Sequence, residues 1–374
     1  MERKQREKQM TEGLRTEKLA VGYDKIPLIR DIDLSVRPGE ILTLIGPNGS
    51  GKSTILKTIV KQLKSLGGKV SIGQEAMESM SDGRIARKLS MVMTERVRTE
   101  LQTGKEVVAS GRYPYTGHFG ILSKEDWKKV DEAIGLVHAR EVQDQDFMKI
   151  SDGQRQRLML ARAICQDTEI LILDEPTSYL DMGFKLDILS TIRMLARTKR
   201  IAVILSLHEL DLAQKISDYI VCVKGDTIAC MGTPEEIFSG DHIQRLYGVK
   251  LQSFDPLTGQ MFLEAVSGTP KLFVISGAGK GIAMYHRLQR EHIPFVAGIL
   301  QENDMEFVAA RALAVSVVAQ KAFYPIGKEE LEQAKQWMDR CEKCVCTLET
   351  FGPQNDANRM LKEYAKEQGK LIQH

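Results

Sequence analysis

The residues best fitted by type and spacing for chemistry are Gly46, Pro47, Asn48, Gly49, Ser50, Gly51, Lys52, Ser53 and Thr54, in unbroken order. Glycines at 46, 49 and 51 let the backbone pass close to a polyphosphate, so that successive N–H groups point inward. Lys52 can reach the β- and γ-phosphates as a point charge, and Ser53 can place its hydroxyl on Mg²⁺. A second group is the carboxylate pair Asp174 and Glu175, which closes the apolar run Ile170–Leu173. Asp174 is expected to hold Mg²⁺, through water or through Ser53. Glu175, one residue further out near the γ-phosphate, is expected to act as the base that orients attacking water. Tyr23, upstream of the loop, can stack on a nucleotide base, a contact worth roughly 1–3 kcal/mol. The three groups together describe a site for ATP or GTP with Mg²⁺ as its metal.

Such groups need rigid elements behind them. The apolar run Ile41–Ile45 predicts a strand leading into the loop, and Ile55, Leu56, Ile59, Val60 and Leu63 predict a helix leading out of it. Leu14–Val21 and Ile26–Val36 read as short strands separated by Gly22, Tyr23 and Asp24. Ile170–Leu173 reads as a buried strand lying beside the phosphate loop in a parallel sheet. Ser123 to Asp126 reads as a helix cap, followed by Trp127, Val130, Ile134 and Val137 on one face.

Between these elements stand Ser151, Asp152, Gly153 and Gln154, opening a helical stretch whose N-terminus is an anion site. With this stretch the sequence resembles the ATP-binding cassette (ABC) ATPases, whose signature reads Leu-Ser-Gly-Gly-Gln and directly precedes the second acidic strand. The resemblance covers roughly residues 14–266. It implies that Tyr23 stacks on adenine, that Ser178 to Asp181 form the D-loop, and that His208, after the apolar strand Ile201–Leu207, is the switch histidine. It further implies a working pair of chains in which the signature of one copy meets the phosphate loop of the other, with Asp181 at the interface. Two departures stand out. Asp152 replaces a glycine and is expected to point away from phosphate. Met91 to Arg96 lacks the usual glutamine, so that Thr94 or Glu95 is expected to offer the metal an oxygen, Glu95 being the residue assigned. Gly111, Arg112, Tyr113 and Pro114 resemble a segment of ABC ATPases serving importers of ferric siderophores, haem and cobalamin. The implied role is the ATPase subunit of such an importer, peripheral on the cytoplasmic face of the membrane. Its partners would be a permease met through the subdomain at 80–150 and, indirectly, a substrate-binding lipoprotein. The alternatives are a soluble ABC protein of translation or DNA repair, although the paired cassettes or long coiled coil of those proteins are missing from the sequence, or an ABC ATPase for a different cargo.

Length and composition bound this reading. A chain of 374 residues suggests two domains. The split of 43% apolar and 27% charged residues argues against a disordered or fibrous chain. A net charge of +2 does not point to a nucleic-acid partner. No apolar run approaches the roughly 20 residues of a spanning helix. The start has mixed charge and does not read as a secretory signal, so a cytoplasmic protein with six unpaired cysteines is expected. The expected fold is α/β throughout: a disordered arm at 1–13, an ABC-type P-loop domain at 14–266, and a Rossmann-like parallel domain at 267–374 with a regulatory role. In that last part the candidate strands are Leu272–Ser276, Phe295–Leu300, Val315–Ala319, Cys344–Leu348 and Leu371–Gln373. Gly277 to Gly281 reads as a tight turn in preference to an anion site. Glu302 to Asp304 reads as either a ligand-facing cluster or a helix cap built on Asn303 and Glu306. Cys341, Cys344 and Cys346 read as buried thiols in preference to a metal site.

Overall fold

The computed structural model describes residues 13–93, 102–117, 119–250, 253–255 and 259–373. Thr94 and Glu95 lie outside them. The chain divides into two compact units, Met1–Tyr247 and Gly248–His374, a boundary earlier than the 266/267 junction expected from sequence. Described residues just before the expected junction pack with the second unit. Phe262 enters a hydrophobic core with Leu272, Tyr285 and Phe295, and the Gln289 side chain donates to the Glu264 carbonyl at 3.2 Å.

The first unit is built on a six-stranded sheet in the order Thr227–Gly232, Tyr219–Lys224, Ile41–Ile45, Ala202–Ser206, Ile170–Leu173, Leu89–Val92. All neighbours are parallel except the first pair, an antiparallel hairpin. Every residue of Ile41–Ile45, Ile170–Leu173 and Ala202–Ser206 is buried, as a sheet covered on both faces requires. One expectation fails here. The strand before Asp174 is not beside the phosphate-loop strand, because Ala202–Ser206 lies between them. Both runs are apolar apart from the terminal Ser206, so periodicity cannot say which is adjacent; only the crossover order decides.

A second sheet joins Ile26–Ile32, Leu14–Tyr23, Gly67–Ile72 and Glu75–Ala76. Leu14, Leu19, Val21 and Ile29 share a core with Leu42, Leu44, Ile55 and Leu56, which welds this sheet to the nucleotide-loop elements. The expected single strand 26–36 is broken into Ile26–Ile32 and Ser35–Val36. Asp33 at the break accepts from the Lys18 amide at 2.6 Å. The helix after the phosphate loop is shorter than expected, Lys52–Ile59, and leaves Leu63 outside it.

The helix Lys124–Leu136 begins with a capping box between Ser123 and Asp126. Val130, Ile134 and Val137 are buried on it, but Trp127 is not part of that face. The Trp127 ring is half-exposed, with the Lys105 ammonium 5.5 Å from its centre.

The second unit is a fully parallel sheet in the order Ser316–Gln320, Phe295–Gln301, Leu272–Ile275, Lys343–Cys346, Leu371–Ile372. Helices Ile282–Arg290 and Phe307–Leu313 cover one face, and Lys328–Arg340 and Asp356–Glu367 the other. The strand Phe295–Gln301 is irregular after Ala297. There the buried Asn358 side chain clamps Ile299, accepting from its N–H and donating to its C=O, each at 2.9 Å. Among the described residues, no helix is long and apolar enough to cross a membrane.

Candidate nucleotide site

The strand Ile41–Ile45 ends in the phosphate loop, and glycine is needed there for space as well as for torsion. Gly46 has φ +151°, and a Cβ on it would lie 2.1 Å from the Val223 carbonyl oxygen. Gly51, at φ +99°, would press a Cβ to 2.8 Å from Ile29 Cδ1. Asn48 and Gly49 form the exposed crest. The buried Lys52 folds back over the loop, its Nζ donating to the carbonyls of Gly46 at 2.7 Å and Pro47 at 3.0 Å. Burial lowers the Lys52 pKa, while the carboxylates of Glu175 and Asp174 act to raise it. The loop lysine and the acidic pair are therefore near enough to interact electrostatically. Ser53 and Thr54 lie in the first helical turn. The Tyr23 and Thr54 hydroxyls are 3.2 Å apart, which leaves about half of the Tyr23 residue exposed for a base to cover.

The strand between the loop and the acidic pair supplies a link that sequence reading missed. Ser206 Oγ donates to Asp174 Oδ1 at 2.7 Å and accepts from the Glu175 amide at 2.9 Å. Ser206 is the one polar side chain in Ala202–Ser206, and that was the available signal. Tyr247 is a second unforeseen member. Its hydroxyl accepts from the Gly46 amide at 3.1 Å, and burial pushes its pKa up to about 12. No local pattern marks it.

Glu175 adopts a left-handed φ of +49°. Its carboxylate meets His208 Nε2 and accepts from Ser178 Oγ at 3.1 Å. The residues present suit Mg²⁺. A serine hydroxyl in the first turn and a buried carboxylate, Asp174, are hard oxygen donors of the kind this ion takes beside phosphates.

Ser151 caps the helix Asp152–Cys165 in a reciprocal box with Gln154, whose amide donates to Ser151 Oγ at 3.3 Å. Gly153 follows in the first turn, with its Cβ position 3.2 Å from Leu180 Cδ2. Asp152 is drawn aside by Arg155, Nη2 to Oδ1 2.5 Å, so a cation on the same turn offsets the carboxylate. Asp181 caps the next long helix, Met182–Lys199, accepting from the Phe184 amide at 3.0 Å. Tyr179 and Met182 stand exposed on either side of it.

Comparison with known proteins gives the same answer as the geometry. The ABC transporter family profile matches residues 29–178, and that of the MJ0874 family matches residues 295–373. The chain is 37% identical over 288 residues to the uncharacterized ABC transporter ATP-binding protein MJ0873 of Methanocaldococcus jannaschii, covering 77% of this chain and 99% of that one. It is 34% identical over 249 residues to the iron(3+)-hydroxamate import ATP-binding protein FhuC of Bacillus subtilis, covering 66% of this chain and 93% of that one. The chain belongs to the ATP-binding subunits of ABC transporters. A dimeric ATP-binding cassette, MJ0796, solved in a post-hydrolysis state with ADP and phosphate, shares the fold at a TM-score of 0.53 and 23% identity, over 59% of this chain and 98% of that one.

In this ABC ATPase the Gly111–Gly117 segment is a short 3₁₀ helix, Ser110–Tyr115, pinned from below. Arg112 is buried, donating from Nε to Asp126 Oδ1 at 2.8 Å and from Nη1 to the Cys165 carbonyl at 2.9 Å. Tyr113 and Pro114 remain on the wall of a groove of about 480 Å³ shared with Val60, Ile85, Met91 and Arg162.

The glycine turn of the second unit lies at the end of strand Leu272–Ile275, where a doubly wound sheet places phosphate. Two of its amides already meet side-chain carboxyl oxygens. Ala278 N–H donates to Asp304 Oδ2 at 2.7 Å, and Gly281 N–H donates to Glu306 Oε2 at 2.8 Å. Glu306 is fully buried and also accepts from the Tyr285 hydroxyl at 2.8 Å. Asn303 is therefore not the cap of the following helix, Phe307–Leu313, whose N-cap position is Glu306 with no side-chain capping bond; Asp304 Oδ1 instead accepts from the Glu306 amide at 3.0 Å. Burial raises the pKa of the Cys341, Cys344 and Cys346 thiols, that of Cys341 to about 11. No group of three or more metal-ligating side chains converges among the described residues.

Proposed function

We propose that this chain is the ATP-hydrolysing subunit of an importer whose cargo is an iron chelate, haem or cobalamin. The observation that carries the reading is the buried Arg112 post, which presents Tyr113 and Pro114 on a groove beside the signature helix. In the resemblance drawn from sequence, that segment belongs to importers of this kind, and the relative FhuC is named for iron(3+)-hydroxamate import. The groove is where a helix of a membrane permease would seat. The protein would then be peripheral on the cytoplasmic face, with a substrate-binding lipoprotein reached only through the permease.

One chain carries one phosphate loop and one signature, so two copies close on two ATP molecules. Tyr23 stacks on adenine, and the amides of residues 46–54 cradle the phosphates. Lys52 transfers its hydrogen bonds from the Gly46 and Pro47 carbonyls to the β- and γ-phosphates. Ser53 and Asp174 would hold Mg²⁺, which when bound sets positive charge against the phosphate oxygens. Ser151, Gly153 and Gln154 of the second copy close over the γ-phosphate with a helix N-terminus. Glu175 orients the attacking water and accepts its proton, while Ser178 and His208 fix the carboxylate. Catalysis is then mostly positioning and charge neutralisation. For the second unit we propose a regulatory role in which the glycine turn is structural.

The test is a pull-down of tagged Glu175→Gln protein from detergent-solubilised native membranes with ATP present, followed by mass spectrometry. Recovery of a multi-span permease with a substrate-binding lipoprotein supports the importer. Recovery of ribosomal or DNA-repair proteins instead refutes it.

A further inference from the structure

Behind His208 lies a set of contacts that the reaction scheme above does not use. Glu209, the next residue, joins two other segments through its carboxylate. Oε1 receives a hydrogen bond from Lys185 Nζ at 2.5 Å, and Oε2 receives one from the buried Thr177 Oγ1 at 3.1 Å. Lys185 lies in the first turn of the helix that Asp181 caps, and its amide bonds the Asp181 carbonyl at 2.9 Å. Thr177 follows the acidic pair, and its neighbour Ser178 bonds both the backbone and the side chain of Glu175. Both side chains of the Lys185–Glu209 pair are about three-quarters buried, 26% and 29% exposed. Burial alone would raise the Glu209 pKa, yet the hydrogen bond from Lys185 and the contacts that accompany it bring the carboxyl below its ordinary value. The pair is more enclosed than the solvent-exposed pairs whose effect is near zero.

The connection runs Asp181, Lys185, Glu209, His208, Glu175. Its ends differ in what they face. Glu175 and His208 sit at this chain's own ATP. The Asp181 turn, with Tyr179 and Met182 exposed beside it, faces the second copy in the paired arrangement proposed above, on which this inference rests. We propose that Glu209 and Lys185 are positioning residues that carry the placement of the Asp181 turn to the Glu175–His208 pair, so that one ATP site registers closure at the other. Neither residue touches nucleotide. If they served stability alone, removing them would lower the melting temperature and leave the shape of the ATP response intact.

The test compares Lys185→Met, Glu209→Gln, the double variant and the conservative Lys185→Arg in the full chain, following phosphate release against ATP concentration. Lys185→Met is expected to lower kcat on the order of tenfold, within the range seen for misplaced catalytic groups, with the KM for ATP changed less than about twofold. The Hill coefficient is expected to fall from about 2 toward about 1, the limit for uncoupled sites. The double variant should be no worse than the poorer single one, and Lys185→Arg should recover most of the loss. A raised KM with unchanged kcat, an unaltered Hill coefficient, or additive losses in the double variant would overturn the inference. Should Lys185→Met misfold, Thr177→Val removes the other anchor of Glu209 and must give the same kcat and Hill changes. Sedimentation of Glu175→Gln with ATP separates the two levels. A monomer there overturns the paired reading itself, whereas a dimer whose Lys185→Met counterpart stays cooperative overturns only the coupling.

Discussion

Replacing Arg112 by methionine tests how the Gly111–Gly117 segment is held, because the side chain makes both of its polar contacts inside the protein. The substitution removes the 2.8 Å ion pair to Asp126 and the 2.9 Å bond to the Cys165 carbonyl. It leaves Asp126 nearly as buried as before, only 8% exposed, with its charge offset by Ser123 alone. Breaking one side of a buried pair costs about 3–5 kcal/mol. For a unit of this length, about 2–4 °C of melting temperature goes with each kcal/mol, so a fall of about 6–20 °C is expected. Arg112→Lys keeps a charge but not the fork, and should lose roughly half as much. Adding Asp126→Leu to Arg112→Met should recover part of the loss by removing the stranded carboxylate, less about 1 kcal/mol for the Ser123 amide and hydroxyl that lose their acceptor. The pH dependence carries a sign. The Ser123 hydroxyl bond, and after it the Arg112 bond, outweigh burial and hold the Asp126 carboxyl at about 2, below its ordinary 3.8. Its contribution is thus complete above the ordinary value and is lost as pH falls through that value toward about 2. In Arg112→Met the folded-state value moves back toward the ordinary one, so the Asp126 share of the acid-induced loss should be smaller and complete at a higher pH. Thermal unfolding followed by circular dichroism, with the nucleotide-shifted transition taken as the first unit, reads all of this. A fall below about 2 °C for Arg112→Met, or an unmoved acid limb, would refute the assignment of Arg112 as the post.

Three further outcomes are expected. Glu175→Gln keeps the shape of the group that His208 and Ser178 hold but removes its basicity, so phosphate release should fall about 10²–10⁴-fold with ATP binding retained by equilibrium titration; unchanged turnover would remove Glu175 from the role of base. Tyr23→Ala should weaken ATP binding by the roughly 1–3 kcal/mol of a stacked base, and Tyr23→Phe, which loses only the Thr54 contact, by no more than about 1 kcal/mol; equal losses in a calorimetric titration would argue against stacking. Asn358→Ala strands the Ile299 N–H and C=O inside the second unit, at about 1–3 kcal/mol for each group, and should lower that unit's unfolding transition while leaving the ATPase rate of the first unit unchanged.

The phosphate loop, the acidic pair and the signature were legible because each is a run of adjacent residues with a fixed local shape. The strands of the second unit were legible to within a residue or two, since apolar runs such as Phe295–Gln301 are bounded by polar turns. What escaped depends on contacts between distant segments. Nothing near Ile170–Leu173 tells that Ala202–Ser206 will lie between it and the loop strand. Asp152 is expected to point away from phosphate, but what draws it aside, Arg155 one turn on, is a side-chain contact that no sequence pattern announces. Tyr247 meets the Gly46 amide across 201 positions of chain. The sequence before residue 267 reads as first domain, yet Phe262 lies in the core of the second unit.

The glycine turn of the second unit bears on how bound nucleotide is counted. Two of its amides are held by the chain's own carboxylates, Asp304 and Glu306, and the second of these lies fully buried under Tyr285. A triphosphate approaching that turn would meet carboxyl oxygens, themselves acceptors, on the amides where a phosphate needs donors. The full chain should therefore saturate at one ATP per polypeptide, although it contains two sheets of the kind that elsewhere hold nucleotides. Occupancy measured on intact protein then reports the state of the ATPase alone, with no correction for the second unit.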